Sequence, residues 1–235
     1  MFSDVHGIVL VIGGTISVGL MTFNFKRLAG AIGVLIRKTF GGGRNYSTTI
    51  KQIVNVANAY KTDPKSITQL LSKDAHPFLK EAVGLISDYG FQPDEMDAIL
   101  SNSIKGKKKR DSDENKVWHT VSRFPPAFGL LGATLGMISF LQTMGEPGSQ
   151  ERIGPAMATA LVATFMGLTL ANFVLIPLAE RLMEVSNDDL TLRNIIKDGV
   201  VMILEKRHPR FIEEFLKSYI SPSDRKTEKN SSAKA

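Results

Sequence analysis

Three long stretches of the chain contain no Asp, Glu, Lys or Arg: Val5–Phe25, Phe124–Gly145 and Ile153–Ala179. They hold 21, 22 and 27 residues. Since an α-helix rises about 1.5 Å per residue, each stretch can cross a hydrocarbon core of about 30 Å. The pattern predicts an integral membrane protein with three transmembrane helices and argues against a purely soluble globular protein.

The segment between the first two stretches, residues 26–123, has apolar residues at helical spacing and no sustained strand alternation. Its first part, Leu28–Phe40, is expected to continue the first span as a helix, up to the three glycines at 41–43. Further helices are predicted over Thr48–Tyr60, from Asp63-Pro64, from Pro77 to Gly90, and from Pro93 to Ile104. We therefore expect a small helical domain here.

The chain after the third stretch alternates charged and apolar residues as far as about Tyr219. This predicts a long amphipathic helix over residues 180–220, either unbroken or divided near Ser186–Asp189, with a last piece that starts at Pro209. Residues 221–235 are polar and are predicted to form a disordered tail. The predicted fold class is all-α.

Lys and Arg are distributed unevenly along the chain. Of the 29, 17 lie in residues 26–123 and 11 follow residue 180, whereas the loop at 146–152 holds one, Arg152. Because cytoplasmic loops carry the excess of basic residues, this places 26–123 and the tail in the cytoplasm and 146–152 outside. The net charge of +6 then reflects orientation in the membrane rather than nucleic-acid binding.

One basic run, Lys105–Arg110, stands out within the cytoplasmic part. We interpret it as a solvated turn. The alternative is contact with anionic lipid headgroups or with an acidic protein face.

Side chains for catalysis or metal binding are not grouped anywhere in the sequence. There is no cysteine, and His76, His119 and His208 are scattered and are interpreted as ordinary surface residues. The glycines at 41–43 lack the Gly-Lys-Ser/Thr that a phosphate loop needs. We therefore predict no enzyme activity, cofactor or metal site.

Small residues recur along the second and third spans at the spacing of one helix face. Membrane helices approach one another closely where such residues line the contact. The predicted packing positions are Gly129, Gly132, Gly136, Ala156, Ala160, Ala163 and Gly167.

The spans hold hydroxyl and amide side chains, such as those of Thr164 and Asn172, but no carboxylate and no basic residue other than His6 at the outer edge. An ion pathway through a membrane normally needs an ionisable group at depth. The chain therefore conducts either nothing or ions together with a partner that supplies the carboxylate. We expect the partner.

Two prolines stand near the cytoplasmic ends of these spans. Pro126 lies in the first turn of the second span, where a missing N–H is harmless. Pro177 lies inside the third span and is expected to remove a backbone hydrogen bond and bend the axis. Since the two spans run in opposite directions, both prolines are expected at similar depth.

The motifs of these spans resemble those of the MotA/PomA branch of the MotA/TolQ/ExbB proton channel superfamily. The resemblance rests on residues 124–132 (FPPAFGLLG), 153–161 (IGPAMATAL), 163–167 (ATFMG) and 176–179 (IPLA), with 11–15 (VIGGT) and 76–80 (HPFLK) as further matches. It implies the A subunit of the bacterial flagellar stator, a multi-pass inner-membrane protein. Five A subunits surround two B subunits in that assembly.

The resemblance also implies partners and residue roles. Each B subunit would supply an ion-carrying aspartate, and the ring of A subunits would push the rotor protein FliG. Pro126 and Pro177 match the two functional prolines of the family, and Thr164 matches a channel-lining threonine. Ala133 takes the place where sodium-driven members carry a threonine, which favours protons.

The chain departs from the family pattern in two respects. The family has four spans, so the first is expected to be missing from this chain. The rotor-contacting arginine and glutamate of the family fall near Lys61 and Gln69, so charge is kept at one position and lost at the other. The candidate residues for rotor contact are Lys61, Asp63, Lys65 and Lys73.

Two alternatives remain at this point. A TolQ/ExbB-type energiser of outer-membrane processes has three spans and an outside N-terminus, but the third span here lacks the glutamate typical of that branch. A purely structural membrane scaffold is the second alternative.

Overall fold

The computed structural model describes residues 5–39, 46–62, 67, 71, 75–144 and 149–220. In chain order, the helices are α1 (Val5–Thr22), α2 (Phe25–Thr39), α3 (Tyr46–Thr62), α4 (Pro77–Tyr89), α5 (Pro93–Val121), α6 (Phe124–Thr143), α7 (Ser149–Thr169), a π-helical segment (Leu170–Leu175), α8 (Ile176–Leu204) and α9 (Pro209–Lys217). No strand occurs in this part of the chain. The prediction of an all-α fold is confirmed.

The chain divides into two compact units, residues 1–41 with 111–185 and residues 42–110 with 186–235. The first unit contains the apolar helices, and α1, α6 and α7 pack against one another there. By length and composition, two described helical stretches, residues 93–142 and 153–204, could cross a membrane. A third span arises if α1 and α2 are counted as one bent span.

The expectation that residues 28–40 continue the first span as one helix is wrong. α1 ends at Thr22, α2 begins at Phe25, and the two are bent by 114°. Asn24 explains the break, because its Oδ1 accepts the backbone N–H of Lys26 at 3.2 Å and so starts a new helix. α2 then packs through Ala31 and Leu35 against Trp118 of α5.

The expected turn at the basic run is also wrong, because α5 continues through residues 105–110. Lys and Arg are good helix formers, so only Gly106 weakens the helix there. The Nζ of Lys107 lies 3.6 Å from Oδ2 of Asp189, whereas Lys105, Lys108 and Lys109 are exposed. The run is therefore part of a helix rather than a loop.

The second unit has an apolar core of its own. It is built from α3, α4, the first part of α5, the second half of α8, and α9; its fully buried side chains include Ile53, Phe78, Leu100, Ile196 and Leu216. Gly199 allows α8 to approach α3, since a Cβ at this position would lie 2.7 Å from Cγ2 of Ile53.

α8 runs unbroken through residues 186–189, so the alternative of two helices divided near this point is wrong. It ends at Leu204 in a Schellman-type turn, in which the N–H of Arg207 donates to the carbonyl of Met202 and that of Lys206 to Ile203. Lys206 takes the left-handed position of this turn, with φ of 57°. α9 then begins at Pro209.

Candidate functional site

The contact between α6 and α7 is the closest helix packing in the apolar unit, and it depends on glycines. A Cβ at Gly129 would lie 2.9 Å from the carbonyl oxygen of Ala163, and one at Gly167 would overlap the carbonyl of Pro125. Real side chains do not approach this closely, so the backbones of the two helices touch only because glycine stands here.

Ala163 lies at the centre of this contact and is 1% exposed. A Cβ at Gly132 of α6 would lie 2.8 Å from the Cβ of Ala163, and one at Gly7 of α1 would lie 3.4 Å from it. α1 meets α6 through Gly14, where a Cβ would lie 2.5 Å from the ring of Phe128. Three helices therefore converge on one row of small residues.

The other predicted packing positions lie less centrally. Ala160 is buried on α7, whereas Gly136 is only half-buried on α6. The side chain of Ala156 lies outside the described part of the chain.

Thr164 joins α7 to α6 with its side chain. Its hydroxyl lies 3.2 Å from the carbonyl oxygen of Ala160 on its own helix and 3.3 Å from that of Gly129 on α6. A hydroxyl has one proton and two lone pairs. Because the proton is shared between two carbonyls, the lone pairs of the Thr164 oxygen are available to a water molecule or a cation.

Ala133, the position related to ion selectivity, lies about one turn beyond Gly129 on α6. Ala133 is half-buried, and its neighbour Thr134 is exposed and donates its hydroxyl to the carbonyl of Leu131 at 2.8 Å. The Thr134 hydroxyl is therefore used within its own helix.

The helix changes from α-helical to π-helical just before Pro177, which itself lies in the first turn of α8. The π-helical segment Leu170–Leu175 precedes the proline, and α8 resumes at Ile176. The wider turn thus lies directly before the proline, which has no N–H to donate, and residues 153–204 run on as one helical stretch.

The two prolines have neighbours in one apolar cluster. Phe124, at the start of α6, packs in the same cluster as Leu175 and Leu178, which flank Pro177. Pro126 is half-buried and Pro177 is exposed. The structure therefore brings the start of α6 and the end of the π-helical segment to the same level.

Of the four candidates for rotor contact, Lys61 is described, and Asp63, Lys65 and Lys73 lie outside the described residues. Lys61 is exposed in the last turn of α3. It lines a cavity of about 470 Å³ together with Tyr60, Lys206 and Arg207. It also lines a neighbouring depression that contains His208, Arg210 and a single acidic residue, Glu213. The result is a basic surface at the end of α3, which we call the Lys61 surface.

Sequence reasoning missed a buried ionic cluster in the second unit. The carboxylate of Asp189 is 4% exposed and lies 3.2 Å from Nε2 of His76 and 3.1 Å from Nε of Arg193, with Lys107 at 3.6 Å. His76 also caps α4, since its Nδ1 accepts the N–H of Phe78. The interpretation of His76 as an ordinary surface residue is therefore wrong.

The sequence already indicated that His76 and His208 cap helices. His76 and His208 each precede a proline, and each caps the helix that this proline begins. His-Pro at the start of an apolar helical pattern thus indicated capping histidines in both places.

Comparison with known proteins places this arrangement in a family. Residues 71–194 match the MotA/TolQ/ExbB proton channel family. The chain is 30% identical to the chemotaxis protein PomA of Vibrio alginolyticus over 228 residues, which cover 97% of this chain and 88% of PomA.

Solved structures show the same fold. The flagellar MotAB stator complex of Bacillus subtilis matches with a TM-score of 0.85 at 23% identity, covering 96% of this chain and 88% of that one. MotAB of C. jejuni matches with a TM-score of 0.83 at 20% identity, covering 94% and 86%. The family match and the PomA similarity together cover the helices that carry Gly129, Thr164 and Pro177, and the chain belongs to the MotA/TolQ/ExbB proton channel family.

Proposed function

We propose that this protein is the A subunit of a flagellar motor stator. It forms a proton channel in the bacterial inner membrane together with a MotB-like B subunit, and it converts proton flow into torque on the rotor. Several copies, five in the family's pattern, surround the B subunits. The main support for this proposal is the contact between α6 and α7. Small residues and Thr164 line this contact, and the two spans that form it contain no carboxylate.

The missing carboxylate supports a conducting partnership. Glycine and alanine cannot bind or release a proton, and the Thr164 hydroxyl can only orient a proton carrier. A B subunit whose span carries an aspartate supplies the titrating group. The hydroxyl and carbonyls of α6 and α7 then provide the polar wall beside it.

The proton is favoured over sodium by Ala133. A second threonine at this position would add a hydroxyl oxygen, and hard cations such as sodium are held by several oxygen ligands. Ala133 adds none, and the neighbouring Thr134 donates its hydroxyl within its own helix.

Contact with the rotor protein FliG is assigned to the Lys61 surface. Its basic side chains suit acidic groups on a partner, and surface charges of this kind set the rate and orientation of docking. Replacement of Lys61 with Glu should weaken torque while proton conduction through the complex stays unchanged.

Swimming is the direct test of the proposal. Deletion of the gene should stop swimming while flagella are still assembled, and the protein expressed with its B subunit should restore it. Pro177→Leu should not restore it, although the variant inserts into the membrane. Pro93→Leu is the matched control, since Pro93 is the first residue of α5, where the missing N–H has no partner to lose.

Normal swimming of the deletion strain, together with a damaged outer membrane, would overturn the stator assignment and favour the TolQ/ExbB-type function.

A further inference from the structure

The π-helical segment leaves one carbonyl without its usual donor. The N–H of Ile176 donates to the carbonyl of Ala171, five residues earlier. In an α-helix the same N–H would donate to Asn172. The carbonyl of Asn172 therefore loses its α-helical partner.

The next residue cannot replace that partner. In the π-helical pattern the donor to Asn172 would be residue 177, five positions later. This residue is Pro177, which has no N–H. The Asn172 carbonyl thus lacks both its α-helical and its π-helical backbone donor.

The side chain of Asn172 adds a second acceptor on the same residue. Its Nδ2 donates to the carbonyl of Leu168 at 2.9 Å, and this is its hydrogen bond within the described part of the chain. Its Oδ1 remains as an acceptor with two lone pairs. Asn172 is exposed, and it is the one amide side chain in residues 153–179.

Two free acceptors are strongly unfavourable in hydrocarbon. Inside a bilayer, backbone that departs from helical pairing is tolerated only where protein or a water-filled cavity satisfies it. Asn172 lies seven residues before Ala179, at the cytoplasmic end of the span, which corresponds to about 10 Å along the helix. It also lies eight residues, or about two turns, beyond Thr164.

We propose that Asn172 is a cation-binding step on the cytoplasmic half of the ion pathway. Its carbonyl oxygen and Oδ1 together hold the transported cation in hydrated form, hydronium in a proton channel, after it has passed Thr164. Two oxygens with no competing donor are the ligands that a small hard cation or its first water molecules prefer. Pro177 acts here by keeping the Asn172 carbonyl unpaired. This inference rests on the proposed channel function.

Proton uptake by vesicles that contain the full chain with its B subunit tests the site. Asn172→Leu removes Oδ1 and should lower the flux roughly tenfold, as the loss of one hydrogen bond to a charged group does. Pro177→Ala restores an N–H that can pair with the carbonyl and should lower the flux as well. Asn172→Gln keeps an amide oxygen and should retain most of it, and Val174→Ala is the control on the same segment.

Wild-type flux in either Asn172→Leu or Pro177→Ala overturns the two-oxygen site. The test distinguishes the proposed channel function from the proposed site at Asn172. A wild-type complex that conducts no protons would overturn the channel function itself. Normal conduction in the wild type and in either variant removes only the role of Asn172.

A second measurement does not depend on conduction by a variant. The chain has no cysteine, so Asn172→Cys introduces a single thiol. This thiol should react with a cationic methanethiosulfonate reagent added from the cytoplasmic side of the assembled complex. Phe173→Cys is the control, since Phe173 is an 80% exposed apolar residue that suits lipid and should stay unreactive. An unreactive thiol at position 172 would overturn the inference.

Discussion

The hydroxyl of Thr164 lies 3.3 Å from the carbonyl oxygen of Gly129, across the contact between α7 and α6. Both residues depend on the same close approach, because a Cβ at Gly129 would lie 3.1 Å from the Cα of Thr164. The hydrogen bond fixes where the Thr164 oxygen lies, and its lone pairs are then available to a passing proton carrier.

Thr164→Val is expected to lower proton flux by tenfold or more, in line with the roughly 1.5–3 kcal/mol of a hydrogen bond to a charged group. Valine has the same shape, so the α6–α7 contact should survive. Thr164→Ser keeps the hydroxyl and should conduct nearly as the wild type does. Vesicle proton uptake with the B subunit measures both, and equal flux in the valine and serine variants would show that the hydroxyl has no part in conduction.

Gly167→Ala should separate α6 from α7, because the new Cβ would overlap the carbonyl of Pro125. Overpacking of this kind costs about 1–3 kcal/mol. A lower thermal midpoint of the detergent-purified protein would report it. Gly154→Ala on the same helix is the control, since a Cβ there meets nothing within 4 Å. If both variants melted alike, the close contact would not determine stability.

Asp189→Asn should destabilise the second unit by about 3 kcal/mol, because it leaves His76, Arg193 and Lys107 around a neutral group. Asp188→Asn removes a charge at the next, exposed position and should change the free energy of unfolding little. Chemical denaturation of the two variants measures the difference. Similar values would mean that the ionic cluster contributes no net stability.

Stability should fall between pH 10 and 12 because of Tyr219. Burial, followed by its hydrogen bond to Asp198, raises the pKa of Tyr219 to about 12. An ordinary tyrosine ionises near pH 10, so in this window the folded protein binds more protons than the unfolded chain, and the free energy of unfolding decreases as pH rises.

Tyr219→Phe should flatten this pH dependence, and denaturation midpoints measured from pH 9 to 12 would show the difference. Burial lowers the pKa of Lys197, but its carboxylate partners together outweigh burial and raise it; carboxylate partners also raise the pKa of Lys217, and both lysines remain in the variant. An unchanged slope in Tyr219→Phe would assign the whole effect to the lysines.

The helical class and the membrane character could be read from the sequence, because charge-free stretches of 21, 22 and 27 residues have few alternatives in water. The packed face could also be predicted, because small residues such as Gly167 and Ala163 recur at the spacing of one helix face, where membrane helices approach closely. Periodicity could not show the break at Asn24, since one side chain decides it by capping α2.

Other features depend on residues that are distant in sequence or on backbone detail. His76 and Asp189 are 113 positions apart, and only the folded core brings them together. Lys105–Arg110 looked like a turn because of its charge, but its residues are good helix formers. Pro177 indicated an irregularity, and the structure resolves it as a π-helical turn in which the N–H of Ile176 donates to Ala171 rather than to Asn172.

The most direct test of the central claim is proton influx into cells that express the chain alone, the chain with its B subunit, or the chain with a B subunit whose membrane aspartate is replaced by asparagine. We expect influx only in the second case, because the spans of this chain carry no carboxylate. Influx with the chain alone, or influx that is unaffected by the loss of the partner's aspartate, would contradict the proposal that this protein conducts protons through a partner's carboxylate.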